Sequence, residues 1–197
     1  MSKPLLLLFA LVLANGQSPV NLTGRWRSVE TSQGGIGAVY QFHTDGTVDF
    51  SPGAIVDMPY RLEGDQLILP PATTTGPEIK SKLTVSGNVL RLSAEGHVAE
   101  YHRRGNAQSL SDPLLGEWLG SREMDGRRMA EQMLFYPGGK SLLVILFTTQ
   151  RGIYSTTGGR LVATFGGGAG LNGPFDISDG VLSIHRGGGR LMKLARY

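Results

Sequence analysis

Apolar and polar residues alternate along most of this chain, and turn signals interrupt the alternation about every 8–12 residues. The segments 80–86 and 88–94 alternate on either side of a Ser-Gly-Asn turn, which is typical of a hairpin. Period-two alternation indicates half-buried strands, because successive side chains of a strand point to opposite faces. The helical period of 3.6 residues does not appear, so the pattern predicts an all-β antiparallel chain.

The same order of sequence blocks occurs twice. LTGRW (22–26) matches LLGEW (114–118), and four further blocks follow in the same order at an offset of about 92–94 residues. Such a constant offset indicates two copies of one structural unit. We therefore divide the chain into a first unit (22–104), a polar linker (105–113) and a second unit (114–197).

Each copy carries signals for about eight short strands. Eight antiparallel strands suffice to close a small barrel, and closure removes exposed strand edges. The sequence thus predicts two tandem up-and-down β-barrels of about eight strands each. The alternative is one larger barrel or sandwich that shares strands between the copies.

A Gly-x-Trp motif opens each copy, and an arginine stands near the end of each last strand. This combination resembles the calycin group, and in particular the small bacterial lipocalin-like domains. The resemblance implies that the tryptophan plugs one end of the barrel and that the arginine lies across its ring, as a structural device. The expected sets are Gly24 and Trp26 with Arg103, and Gly116 and Trp118 with Arg196.

The same resemblance implies binding of a small apolar ligand inside a barrel. Avidins share a similar first strand, but their biotin site needs further tryptophans on later strands, and this chain has only two tryptophans. Biotin is therefore not an expected ligand.

Residues 1–14 consist of a short start with one lysine, an apolar run and small residues before a cleavage site. This arrangement is typical of a signal peptide and is too short to span a bilayer. We therefore expect a secreted or periplasmic protein. The net charge of +3 comes from scattered basic residues, so nucleic acid is not an expected partner.

The sequence offers little catalytic chemistry. It has no cysteine, and the spacing of its four histidines does not suggest a metal site. Its serines do not stand in a nucleophile motif, so we predict neither an enzyme nor a cofactor. The P-loop-like GGKS at 138–141 is followed by an apolar strand and is better explained as a hairpin turn.

Aromatic residues are the candidate ligand contacts. Tyr60 and Tyr101 point inward by alternation, and a buried tyrosine hydroxyl needs a partner. The second copy has glycines where the first has bulky residues, so a cavity is expected there, near Tyr154 and Phe165.

The segment 141–149 breaks the alternation with a continuous apolar run. If its odd-numbered residues point inward, Leu142, Val144 and Leu146 form an outward apolar row. Such rows are typical of interfaces, so we expect contact with the other barrel or with a second chain.

The function expected from these features is that of an exported lipocalin-like protein that binds a small apolar molecule. The alternative is a non-catalytic module of the cell envelope with filled barrels, which binds protein through its surface strands.

Overall fold

The computed structural model describes residues 21–71, 75–105, 112–166 and 168–197. The prediction of an all-β antiparallel chain is confirmed: sixteen strands form one sheet, and a single 3-10 turn lies at Gly187–Gly189. The predicted signal peptide (1–14) and most of the predicted linker (105–113) lie outside the described residues. The strands are β1 (Gly24–Ser28), β2 (Ile36–Phe42), β3 (Thr47–Pro59), β4 (Arg61–Glu63), β5 (Gln66–Leu69), β6 (Ile79–Ser86), β7 (Val89–Ala94), β8 (His97–Arg103), β9 (Gly116–Met124), β10 (Arg127–Tyr136), β11 (Lys140–Leu146), β12 (Gln150–Thr157), β13 (Arg160–Phe165), β14 (Gly168–Ser178), β15 (Val181–Arg186) and β16 (Arg190–Arg196).

Eight of these strands close into a barrel. Their order is β12-β13-β14-β15-β16-β1-β2-β3, and β3 pairs back onto β12, with Phe50 opposite Gln150. This closed barrel therefore combines the first three strands of the chain with its last five. The other eight strands, β4 to β11, lie outside it.

The closed barrel coincides with neither predicted unit, 22–104 nor 114–197. The last strand of the chain, β16, pairs with β1, and β8 pairs with β9. Each strand that would close its own half of the chain thus pairs with the first strand of the other half. The first and last strands of each half therefore pair with strands of the other half and not with each other.

The 13-residue strand β3 connects the barrel to the outer strands. Its residues 48–54 pair with β2, and its residues 53–59 pair with β11. The Tyr60 amide then donates a hydrogen bond to the Gly139 carbonyl at 2.7 Å, and β4 follows and pairs with β5. One extended segment, 53–63, is therefore bonded to both ends of the outer set of strands.

Two separate cores follow from this pairing, and each draws side chains from both halves. The barrel core consists of Leu22, Trp26, Tyr40, Phe42 and Val48 from the first half and Leu161, Ala163, Leu171, Leu182, Ile184 and Leu194 from the second. The outer core consists of Leu67, Leu90, Leu92 and Tyr101 from the first half and Leu114, Trp118, Met133 and Phe135 from the second. Each large apolar side chain buried in this way stabilises the fold by about 1.5–3 kcal/mol.

The tryptophan plugs are present, but their arginines are exchanged relative to the prediction. The Arg196 guanidinium lies over the Trp26 ring at 4.5 Å, and that of Arg103 lies over Trp118 at 4.1 Å. The predicted pairing of each arginine with the tryptophan of its own half was wrong, because β16 and β8 join the opposite halves.

The glycine of each motif makes room for the arginine. At Gly116, where φ is +115°, a Cβ atom would lie 2.9 Å from Nη1 of Arg103; at Gly24, where φ is +120°, it would lie 3.5 Å from Nη1 of Arg196. Arg196 also donates hydrogen bonds to the carbonyls of Thr23 and Asn21, at 3.0 and 2.9 Å. The glycine thus permits both the backbone turn and the guanidinium contact.

A third cluster, which we call the seam, lies between the two cores. Leu142 and Val144 are fully buried there, beside Val39 and Ile55 of the first half, and Leu146 is partly buried against them. The apolar row that the sequence placed on an outer face therefore lies inside the molecule.

A partly buried ion pair joins equivalent positions of the two motifs beside the seam. Arg25 forms two hydrogen bonds with the carboxylate of Glu117, one of them 2.5 Å long, and the two side chains are only 11% and 13% exposed. Arg25 further donates to Gln132 at 3.0 Å, and its guanidinium lies 4.8 Å from the centre of the Tyr197 ring. Buried charges need such a complete set of partners.

Candidate functional site

The outer strands and the end of β3 line a half-open cavity of about 520 Å³, which we call the outer cavity. Its wall is mainly apolar and comes from both halves of the chain. The volume lies within the range of about 300–1,000 Å³ that small-molecule sites occupy. The lining residues are Val56, Asp57, Met58, Pro59, Leu69, Pro70, Pro71, Ile79, Ser81, Leu92, Ala94, His97, Ala99, Tyr101, Arg122, Met133 and Leu143.

Strand alternation places these side chains on one face. Met133 lies opposite Leu143 across β10 and β11, and Leu92 lies opposite Ala99 across β7 and β8. Because paired residues share a face of the sheet, both pairs point into the space above the outer core. Ala94 and His97 line the cavity at the turn of the β7–β8 hairpin, whereas the Arg103–Trp118 pair lies toward the other end of β8.

One corner of the outer cavity is polar. Arg122 lines it and donates to the Glu131 carboxylate at 2.9 and 3.2 Å, while Glu131 itself is only 2% exposed. Tyr101 lines the same corner and is 3% exposed. Burial, and in addition the nearby Glu131 carboxylate, raises the pKa of Tyr101 well above its ordinary value. The Tyr101 hydroxyl is therefore neutral at physiological pH and stands beside the Glu131 carboxylate and the Arg122 guanidinium.

The four aromatic residues that the sequence nominated do not come together. Tyr101 lines the outer cavity, whereas Tyr60 packs edge-on against Phe135 with ring centroids 5.0 Å apart. Tyr154 donates a hydrogen bond to the His43 carbonyl at 2.9 Å, so its hydroxyl is already satisfied.

Phe165 lines a different cavity, of about 420 Å³, in the closed barrel. The sequence placed its expected cavity here, in the second half, but the larger and more apolar one is the outer cavity. Both cavities are lined by residues of both halves. The size of the side chains in one half therefore does not determine the volume of either cavity.

Sequence reasoning missed Arg122 as a lining residue. Counting by two from Trp118 along β9 reaches Gly120 and then Arg122, so the alternation carried a signal for an inward-facing arginine. Leu143 was placed on the inward face of the run 141–149, and it lines the outer cavity.

The described residues offer no cluster of three or more histidine, aspartate or glutamate side chains that could hold a metal ion. Within the same described ranges, no helix has the length and apolar character needed to cross a membrane. Comparison with known proteins gave no relative: no family model matches the chain, and neither does any curated protein or solved structure.

Proposed function

We propose that this protein is a lipocalin-like carrier that holds a small apolar molecule in the outer cavity. The observation that carries the proposal is the mainly apolar wall around about 520 Å³ of space, with a small number of polar groups, among them Tyr101 and Arg122, set into it. Ligand sites combine these two features, because apolar contact supplies affinity and a few polar groups fix orientation.

The closed barrel provides an internal comparison. The cross-strand pair Tyr40–Phe50 of the closed barrel occupies the same register as Met133–Leu143 of the outer strands. Rings thus fill the closed barrel where smaller aliphatic side chains leave space. A second pair differs in the same direction, with Met192 in the closed barrel at the register of Ala99. We infer that the outer strands have kept the larger and more apolar of the two cavities, of about 520 Å³ against about 420 Å³, for an apolar ligand.

The proposal includes the architecture behind the site. We infer that the chain is a duplication of one lipocalin-like unit whose two copies have exchanged strands, so that the outer strands and residues 53–63 make a second barrel. The support is the identical placement of both tryptophan plugs: Trp26 lies opposite Arg196, and Trp118 lies opposite Arg103. An exchange of strands between the two copies also explains why each core contains side chains of both halves.

We propose, in addition, that the carrier works after export, on the basis of residues 1–14. Expression with the natural start, followed by mass spectrometry of the purified protein, tests this point. Removal of the first 14 residues is the expected result, and an intact Met1 contradicts it.

Ligand binding is tested with 11-(dansylamino)undecanoic acid, whose fluorescence rises in apolar surroundings. We expect a saturable rise on titration into the protein and a fall when n-decanol is added as competitor. The informative variant carries Ala99→Met and Leu143→Phe, which transfers the bulk of the closed barrel to the outer cavity.

This double variant should bind the probe at least tenfold more weakly and remain as resistant to urea as the natural protein. Val98→Met is the matched control, because Val98 is on the same strand and its side chain points outward, with 65% of the residue exposed. Absence of probe binding to the natural protein contradicts the proposal, and so does equal binding by the filled variant.

A further inference from the structure

The closed barrel holds its own cavity, of about 420 Å³, at the end away from the Trp26 plug. Its lining differs in kind from that of the outer cavity, because aromatic rings, glycines and polar side chains replace the aliphatic wall. We call it the barrel mouth. It is lined by Tyr40, Phe50, Gln150, Phe165, Gly168, Gly170 and Arg186.

Three rings form the floor of the barrel mouth. The Phe50 centroid lies 5.2 Å from that of Tyr40 and 5.4 Å from that of Phe165. The ring planes are inclined by 37° and 47°, so the floor offers both ring faces and ring edges. Such a surface suits a planar aromatic group, which can make offset-stacked and edge-to-face contacts with it.

A positive charge stands at the rim. Arg186 is exposed and donates one hydrogen bond, to the Gly170 carbonyl at 3.3 Å. It forms no ion pair with a carboxylate anywhere in the described part of the chain, and no acidic side chain lines the barrel mouth. Its remaining donors and its charge are therefore available to an anion.

Tyr40 supplies a second donor. The residue is 5% exposed and lines the barrel mouth. Burial raises the pKa of its hydroxyl, and the nearby Arg186 charge opposes part of that rise. The hydroxyl is therefore neutral at physiological pH and can donate to a ligand that accepts a hydrogen bond.

We propose that the barrel mouth is a second binding site, for a small aromatic carboxylate whose ring stacks on Phe50 and Phe165 and whose charge pairs with Arg186. This site is independent of the outer cavity, because the two spaces share no lining residue. The protein would then bind an apolar molecule and an aromatic anion at the same time.

Calorimetric titration with 2-naphthoate and with neutral 2-naphthamide tests the proposal. The two probes share their ring system and differ in charge. We expect the carboxylate to bind to the natural protein at least tenfold more tightly than the amide, and its binding to weaken as salt is raised.

Arg186→Gln should weaken 2-naphthoate at least tenfold and leave 2-naphthamide unchanged, and Tyr40→Phe should weaken the carboxylate by a smaller factor. Arg160→Gln is the matched control, since Arg160 is an exposed arginine on β13 that contacts Asn172 instead. Equal binding of the two probes, no binding of either, or an unchanged affinity in Arg186→Gln overturns the proposal. None of these outcomes depends on the fatty-acid probe, so the outer cavity is judged separately.

Discussion

Cutting the chain between its halves tests the strand exchange. We consider the full chain with a protease site placed between Gly105 and Asp112, cleaved after folding. In the structure, β16 pairs with β1, β8 pairs with β9, and β3 pairs with both β11 and β12. Every one of these pairings joins the two halves, so cleavage breaks one peptide bond and leaves all of them intact.

The magnitude follows from the barrel core. The first half contributes five of its buried residues: Leu22, Trp26, Tyr40, Phe42 and Val48. At about 1.5–3 kcal/mol for each large apolar side chain, their loss costs the second half on the order of 10 kcal/mol. A typical domain is stable by only about 5–15 kcal/mol, so neither half should fold as a monomer.

The assay has two arms. The cleaved protein should sediment as one particle with the β-sheet circular dichroism of the uncut chain, which serves as the control. Each half, separated in urea and refolded alone, should show no cooperative unfolding as a monomer. A monomeric half that unfolds cooperatively would refute strand exchange and would support one self-contained barrel per half.

Three smaller effects follow from the Arg25–Glu117 pair, the Arg196–Trp26 contact and the Asp49–Arg151 hydrogen bonds. Glu117→Gln should lower the free energy of unfolding in urea by about 1.5–3 kcal/mol, because it removes the carboxylate that accepts two hydrogen bonds from the partly buried Arg25. Exchanging both residues for Met and Leu should recover most of the loss. A cost below about 1 kcal/mol for Glu117→Gln alone would show that the pair contributes no more than an exposed surface pair. Arg196→Ala should lower the free energy of unfolding by about 2 kcal/mol in the same assay and shift the fluorescence emission of Trp26. A shift in the emission of Trp118 instead would contradict the pairing of Arg196 with Trp26. The hydrogen bond from Arg151 lowers the pKa of Asp49. The natural protein should therefore be more stable than Asp49→Asn above about pH 4, and this difference in unfolding free energy should decline as the pH falls below that value. A difference that does not change with pH would show that the contact contributes nothing.

The sequence predicted the local structure well, because alternation reports directly on strands. The all-β fold and the eight strands in each half were visible in short blocks, and so was the presence of an arginine over each tryptophan, although not which arginine covers which ring. Alternation fixes which face of a strand is inward, and it fixes little about which equivalent edge the strand joins.

The choice of partner was therefore beyond the sequence. Arg103 and Arg196 stand at the same register of two similar strands, and either could cover either tryptophan. The structure decides through β3, which runs unbroken from the closed barrel to the outer strands. Its first part pairs with β2 of its own half, but its residues 53–59 pair with β11 of the other half, so β4 to β8 do not continue the closed barrel.

The candidate site was predictable in part for the same reason. Tyr101 was identified because its inward orientation is a local property. The volume around it depends on Met133 and Leu143 from the other half, and alternation within one half does not show that these residues lie together with Ala99. Cavity position is a property of the assembled halves.

Methionine methyl groups report directly on whether an apolar molecule occupies the outer cavity. Met58 and Met133 line that cavity, whereas Met124 does not and is 37% exposed. In a protein labelled with ¹³C at its methionine methyls, addition of n-decanol should shift the signals of Met58 and Met133 and give them nuclear Overhauser effects to the decanol chain, with Met124 unmoved. Unchanged signals from Met58 and Met133 at saturating decanol would show that the outer cavity does not bind an apolar molecule.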